Sequence, residues 1–187
     1  MLQIWDENWQ LDEQVCTCDI HFIEWLDAEQ IKGKTIYHFG TGGHHHVGLV
    51  NMAKGVPNTI LGITASPKEF DCFVKLAIEH AELSRSYQVL FGDIYLLNSR
   101  LMPRIDIATA FHLCEFRSEK QDAYGGHTDK QVAELLLDML PTGAPLLFYS
   151  GSFAYWQAEP IAKALAEQGR IRHAGTFKSL EIYRKLS

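Results

Sequence analysis

The residues best suited to chemistry lie in one stretch, Thr35 to Val50, TIYHFGTGGHHHVGLV. Glycines at 40, 42 and 43 let the backbone turn sharply and approach a ligand closely. The residues before them read as a short buried strand (35–39), and those from His44 onward as a helix opening with three histidines. That order aims backbone N–H groups and the positive end of a helix dipole at whatever sits before the turn. A nucleotide-type ligand suits such a turn. The spacing Gly40-x-Gly42-Gly43 is not a full dinucleotide fingerprint, because His45 stands where the third glycine would be. A plain connection between strand and helix also uses glycines this way, so the rest of the chain must decide.

The histidines and cysteines raise metal chemistry. His44, His45 and His46 are consecutive, and neighbours on a helix point about 100° apart. At most two could aim near one point, with partners such as His38, His112 or His127 brought in by the fold. One histidine in a pocket, with the others on solvent or backbone, is the simpler expectation. Of the four cysteines (16, 18, 72 and 114), only the first two are close, as C-x-C, which is not a zinc-knuckle spacing. Free thiols in a reducing cytoplasm, and no bound metal, are therefore expected.

The elements that must position these residues alternate along the chain. Residues 1–34 read as an N-terminal helical extension, with Asp19 as its helix cap and Ile20, Ile23, Leu26 and Ile31 at helical spacing. Trp5, Trp9 and Trp25 are expected to pack this extension onto the rest, a lid over the pocket mouth being the alternative. After the glycine turn a helix is expected over 44–54, ended by Gly55 and Pro57. A second strand follows (58–64), then a helix from Pro67 to about Leu83, capped by Ser66 or Thr64 and burying Phe70, Phe73, Val74, Ala77 and Ile78. A third strand (87–91) runs into Gly92-Asp93, and a short helix carries Leu96 and Leu97. The fourth strand (104–111) runs into His112 and Glu115. Thr128 caps a leucine-rich helix, strand five spans 145–149, and Pro160 starts a helix ended by Gly169. Two last strands, near 171–177 and 180–185, are close enough to pair as a hairpin. The pattern predicts a doubly wound, mostly parallel seven-stranded α/β sheet with a C-terminal antiparallel hairpin. Ligands of such sheets bind at the carboxyl ends of the strands.

Composition sets the bounds. A chain of 187 residues suggests one domain with a small appendage, 47% of it apolar and 21% charged. The formal charge of −6 argues against general nucleic-acid or anionic-membrane binding. The acidic start, MLQIWDENWQLDE, is not a signal peptide, and no apolar run approaches a membrane span. A cytoplasmic location is expected.

Several motifs, in order over residues 35–186, resemble those of class I S-adenosylmethionine-dependent methyltransferases. TIYHFGTGG resembles the glycine-rich first motif, and LFGDIYLL the third-strand motif whose acid, here Asp93, contacts the adenine amino group. DIATAFHLCEF resembles the fourth-strand motif at the methyl-transfer centre, and LLLDMLPTGAPLLFY the helix, turn and fifth strand. The resemblance implies a Rossmann-like methyltransferase domain over 35–187, with S-adenosylmethionine as cofactor. It implies cofactor contacts from His38, Gly40, Thr41, Gly42, Gly43 and His44, then Thr64 and Ala65, then Gly92, Asp93 and Ile94, and last Phe111 and His112. His112 is the best-placed base if the acceptor needs one, with Glu115 and Tyr149 behind it.

Three positions depart from the family pattern. His38 stands where an acid usually precedes the first glycine, and Thr64 where an acid usually binds the ribose, the nearest acid being Glu69 a turn later. His44 replaces the third glycine. A non-catalytic binding domain of the same fold is therefore the main alternative. An NADP-binding oxidoreductase, with Thr64, Ser66 and Lys68 at the extra phosphate, is a second. The expected partner is a small-molecule acceptor, not nucleic acid or membrane, although the basic residues Arg170, Arg172, Lys178, Arg184 and Lys185 favour nucleic acid. A homodimer is compatible with all of this.

Overall fold

A computed structural model describes residues 1–186; Ser187, the last residue of the expected sheet domain, lies outside the described residues. The strands are β1 (Thr35–Phe39), β2 (Thr59–Thr64), β3 (Tyr87–Phe91), β4 (Ile107–Thr109), β5 (Pro145–Tyr149), β6 (Ile171–Phe177) and β7 (Leu180–Lys185). They form one sheet in the order β3-β2-β1-β4-β5-β7-β6. The first five run parallel, and β7 pairs antiparallel with both β5 and β6. The order reverses between β1 and β4, which opens a crevice at the carboxyl ends of the strands.

The helices are α1 (Cys18–Ala28), α2 (His46–Met52), α3 (Pro67–Glu79), α4 (Glu119–Asp122), α5 (Asp129–Met139) and α6 (Tyr155–Glu167). Side chains alternate across β1, so the sheet has two cores. Ile36 faces a core shared with Phe22, Trp25 and Leu26 of α1, Val47 of α2 and Phe73 of α3. Tyr37 and Phe39 face the other, with Leu136 and Leu137 of α5 and Leu165 of α6. Burying one side chain of the size of Phe22 contributes about 1.5–3 kcal/mol. Trp25, Phe22 and Leu26 are at most 1% exposed, so α1 is anchored in the same core as the sheet. Among the described residues, no helix is long and apolar enough to cross a membrane.

Several boundaries differ from the expectations. Thr17, not Asp19, precedes α1, and Asp19 lies in its first turn with its side chain turned inward. α2 starts at His46 because His45 adopts a left-handed conformation (φ 44°), held by bonds from its ring to the Tyr87 hydroxyl and the Glu69 carbonyl, each 2.9 Å. α3 ends at Glu79 and leaves Ile78 exposed, a 3-10 turn over Leu83–Arg85 taking the remainder. The expected short helix after β3 is a 3-10 turn, Ile94–Leu96, and β4 keeps only three paired residues. α6 begins five residues before Pro160, which it holds inside the helix. The polar loop before α5 holds α4, closed by a capping box between Ser118 and Gln121.

Candidate functional site

A cavity of about 420 Å³ lies over the carboxyl ends of β1 to β4, within the size range of small-molecule sites. Its floor is the strand ends: Phe39, Gly40, Gly42 and His44 after β1, Thr64 and Ala65 after β2, Gly92, Asp93 and Ile94 after β3. His112, Glu115 and Phe116 close it after β4, and Tyr149 after β5.

Its roof is the N-terminal segment. The Trp5 N–H donates to the Ala65 carbonyl (3.1 Å), and the Gly43 N–H donates to the Trp9 carbonyl (2.8 Å). The Trp9 N–H donates to Glu69 Oε1 (3.3 Å), and the Ser66 hydroxyl bonds the Glu7 carbonyl. Packing thus describes Trp25 alone. Trp5 and Trp9 line the cavity as a strap across its mouth, with Trp5 edge-on to Phe116 (centroids 5.3 Å).

Four expected contacts face elsewhere. His38 and Phe111 are 1% exposed and pack with Phe22 on the α1 face of the sheet. The alternation of β1 sends His38 away from the side that Phe39 presents to the cavity. Thr41 is also 1% exposed, its methyl group against Gly62. Gly43 supports the strap: its N–H is taken by Trp9, and a Cβ there would sit 1.7 Å from Asn8 Oδ1. The expected free N–H groups of the turn are largely bonded internally, since the His46 N–H meets His44 Nδ1 at 3.1 Å. Of the three histidines, His44 lines the cavity and His45 is buried on backbone.

Two carboxylates from other parts of the chain, Asp19 and Glu69, line the cavity near the positions where acids were expected. Asp19 reaches from α1 to His38, Oδ1 to Nε2 3.2 Å, with Oδ2 3.9 Å from His44, and lines the cavity. Burial alone would raise its pKa; His38, with His44 and His112, holds it below the usual carboxylate value. Glu69 folds back from α3 to accept the Thr64 hydroxyl (2.6 Å) at the end of β2. Burial raises its pKa, an effect partly offset by the Thr64 hydroxyl and the Trp9 N–H. In the sequence, Glu69 stands a turn beyond the expected position and Asp19 stands where a helix cap is expected. Nothing local marks either, because each acts through a contact made only in the fold.

Asp93 lines the cavity as expected, its carboxylate accepting from the Tyr95 N–H (2.9 Å) and the Tyr124 hydroxyl. His112 also lines it, but both ring nitrogens are engaged by the chain. Nδ1 lies 3.1 Å from Glu115 Oε2, and Nε2 lies 3.6 Å from Cys18 Sγ. Burial would lower its pKa, yet Cys16 and Glu115 outweigh burial and raise it to about 10. With both ring nitrogens already engaged, His112 presents no free nitrogen to an acceptor. Cys16 is shifted the opposite way, well below the usual thiol value, by the Cys18 thiol and then by His112, against burial.

Five carboxylates line the cavity (Asp12, Asp19, Glu69, Asp93 and Glu115), and no lysine or arginine does. Two of the five face histidines, Asp19 facing His38 and Glu115 facing His112, and the lining as a whole is acidic, which favours cations over phosphates. Lys68, expected at an extra phosphate, instead pairs with Asp6 at 3.0 Å.

No protein-family model matches the chain, and no curated protein sequence matches it. Solved structures do. A candidate S-adenosyl-L-methionine-dependent methyltransferase from Methanococcus maripaludis aligns with a TM-score of 0.62 at 12% identity, over 90% of this chain and 84% of its own. The N-methyltransferase NodS from Bradyrhizobium japonicum, in complex with S-adenosyl-L-homocysteine, aligns at 0.58 and 13% identity, over 90% of this chain and 87% of its own. The [4+2]-cyclase SpnF aligns at 0.58 and 18%, over 93% of this chain and 65% of its own. Likeness at these identities is a likeness of fold, and the chain has the fold of the class I S-adenosylmethionine-dependent methyltransferases.

Proposed function

We propose that the chain is an S-adenosylmethionine-dependent methyltransferase acting on a small-molecule acceptor. The carrying observation is the cavity: it lies at the strand ends of this fold and is lined by five carboxylates without a basic partner from lysine or arginine. That lining fits a ligand whose reactive centre is a cation. When bound, the cofactor supplies an electrophilic methyl group on sulfonium sulfur. Glu69, oriented by Thr64, is the residue for the ribose hydroxyls, and the Gly92–Ile94 wall is the place for adenine. Asp19 and His44 stand at the glycine-turn end, for the amino-acid group. Trp5 and Phe116 both line the cavity and add aromatic surface beside a cation. Catalysis would then be mainly alignment of the acceptor, with the strap excluding water.

The acceptor is taken as small because an acidic cavity under a strap disfavours a polyanion. Residues 1–34 are part of this reading: the extension completes the site over the sheet domain. The strap's bond to the Gly43 N–H favours a second reading, a non-catalytic binding domain. A thermal-shift titration tests the proposal. S-adenosylmethionine at a hundred times its dissociation constant should add roughly 2.7 kcal/mol, a rise of roughly 5–10 °C. A shift with NADP alone would overturn the proposal. A cofactor shift without methyl transfer to thiol, amine or hydroxyl acceptors would favour the binding domain.

A further inference from the structure

The C-x-C pair does not stand alone in the fold. Cys16 Sγ and Cys18 Sγ lie 3.3 Å apart, and Cys18 Sγ lies 3.6 Å from His112 Nε2, a residue 94 positions away. All three donor atoms fall within 4.8 Å of one another. A tetrahedral zinc ion, with sulfur at about 2.3 Å and nitrogen at about 2.0–2.1 Å, sets neighbouring donors roughly 3.5–3.8 Å apart. One ion of that size can therefore reach all three with small shifts.

The surroundings resemble a built metal site. Glu115 Oε2 sits 3.1 Å from His112 Nδ1, while Glu115 Oε1 accepts the Ser152 hydroxyl at 2.5 Å. A carboxylate on one ring nitrogen orients the ring and directs the other nitrogen to a metal. The Thr17 N–H, between the two cysteines, donates to the Tyr149 hydroxyl (3.2 Å) and fixes the turn that brings both thiols to one side. Two sulfurs and one nitrogen form a soft donor set, suited to zinc and unsuited to magnesium or calcium. All three residues line the cavity, so three protein ligands leave a fourth position on the cavity side.

We propose that Cys16, Cys18 and His112 bind one thiophilic divalent ion of the zinc type, whose fourth position, turned to the cavity, takes an exchangeable ligand. The inference does not rest on the cofactor reading. It departs from the expectation that no metal binds, which followed from the C-x-C spacing and from the helical spread of the His44–His46 run.

Cobalt(II) titration of the reduced, full-length chain tests it, because thiolate–cobalt bonds absorb in the near-ultraviolet and a tetrahedral ion adds visible bands. Both signals should saturate at one ion per chain, be bleached by zinc, and change when 2-mercaptoethanol takes the fourth position. Cys16→Ser should lower the thiolate absorption per ion to about half, one of two sulfur ligands being lost. Glu115→Gln should weaken cobalt affinity roughly 10- to 100-fold while leaving the bands in place. The double variant Cys72→Ser/Cys114→Ser should keep the whole spectrum. Saturation without thiolate bands, or bands lost in the Cys72/Cys114 variant alone, would overturn the site. Unchanged bands on adding 2-mercaptoethanol, used as a probe ligand, would overturn the open fourth position. If the Cys16 variant fails to fold, the wild-type spectrum and the Cys72/Cys114 variant still decide.

Discussion

The Glu69 carboxylate is buried against Thr64 and Trp9, and burial raises its pKa above the ordinary 4.5. A carboxyl whose folded pKa is raised contributes stability that is fully present below its unfolded value. That contribution is lost as pH rises through the folded value. Glu69→Gln should therefore flatten the decline in stability above pH 4.5 without lowering stability at neutral pH, as urea denaturation across that range would report. The same change should weaken S-adenosylmethionine binding by roughly 1.5–3 kcal/mol, the value of a hydrogen bond to a charged group. Lost affinity with retained stability would separate ligand binding from folding. Asp19 differs, because His38 holds its pKa down. Asp19→Asn should cost about 1–3 kcal/mol of stability at neutral pH by weakening the buried contact with His38. A melting temperature equal to wild type would remove Asp19 from that role.

At the scale of elements, two glycine positions give opposite expectations. Gly40 has φ +89°, and a Cβ there would meet the His112 ring at 2.5 Å. Gly40→Ala should destabilise the chain by more than about 1 kcal/mol, since the backbone is left-handed and the ring must move. At Gly92, on the cavity wall, a Cβ would meet no atom of the chain within 4 Å. Gly92→Val should leave the melting temperature within a few degrees of wild type and still block the adenosyl ligand. Retained binding in that variant would place the adenine elsewhere.

The same scale explains what the sequence disclosed. Apolar runs such as TILGIT and YQVLF, alternating with capped helices, carry their own periodicity, so the seven strands, their mostly parallel sheet and the closing hairpin were readable. The strand ends Gly40, Thr64, Gly92 and His112 followed from topology. Asp19 and Cys16 were not readable as site residues, and the tryptophan strap was readable only as the alternative of a lid over the pocket mouth. Their positions depend on contacts over long sequence separations, such as Cys18 to His112. His38 and Phe111 were misplaced because motif position says which residue is near a turn, whereas strand alternation decides which face it takes.

At the scale of the molecule, the strap, the glycine turn and α3 form one closed rim around an acidic cavity. Trp5 and Trp9 lie outside the sheet core, so their truncation should affect the ligand more than the fold. A cationic adenosyl cofactor is the ligand proposed for this cavity. Calorimetric titration of the purified chain with S-adenosylmethionine, repeated with NADP, tests it most directly. One S-adenosylmethionine site per chain is expected, weakened in Glu69→Gln, with no heat from NADP. Saturable NADP binding with no S-adenosylmethionine binding would contradict it.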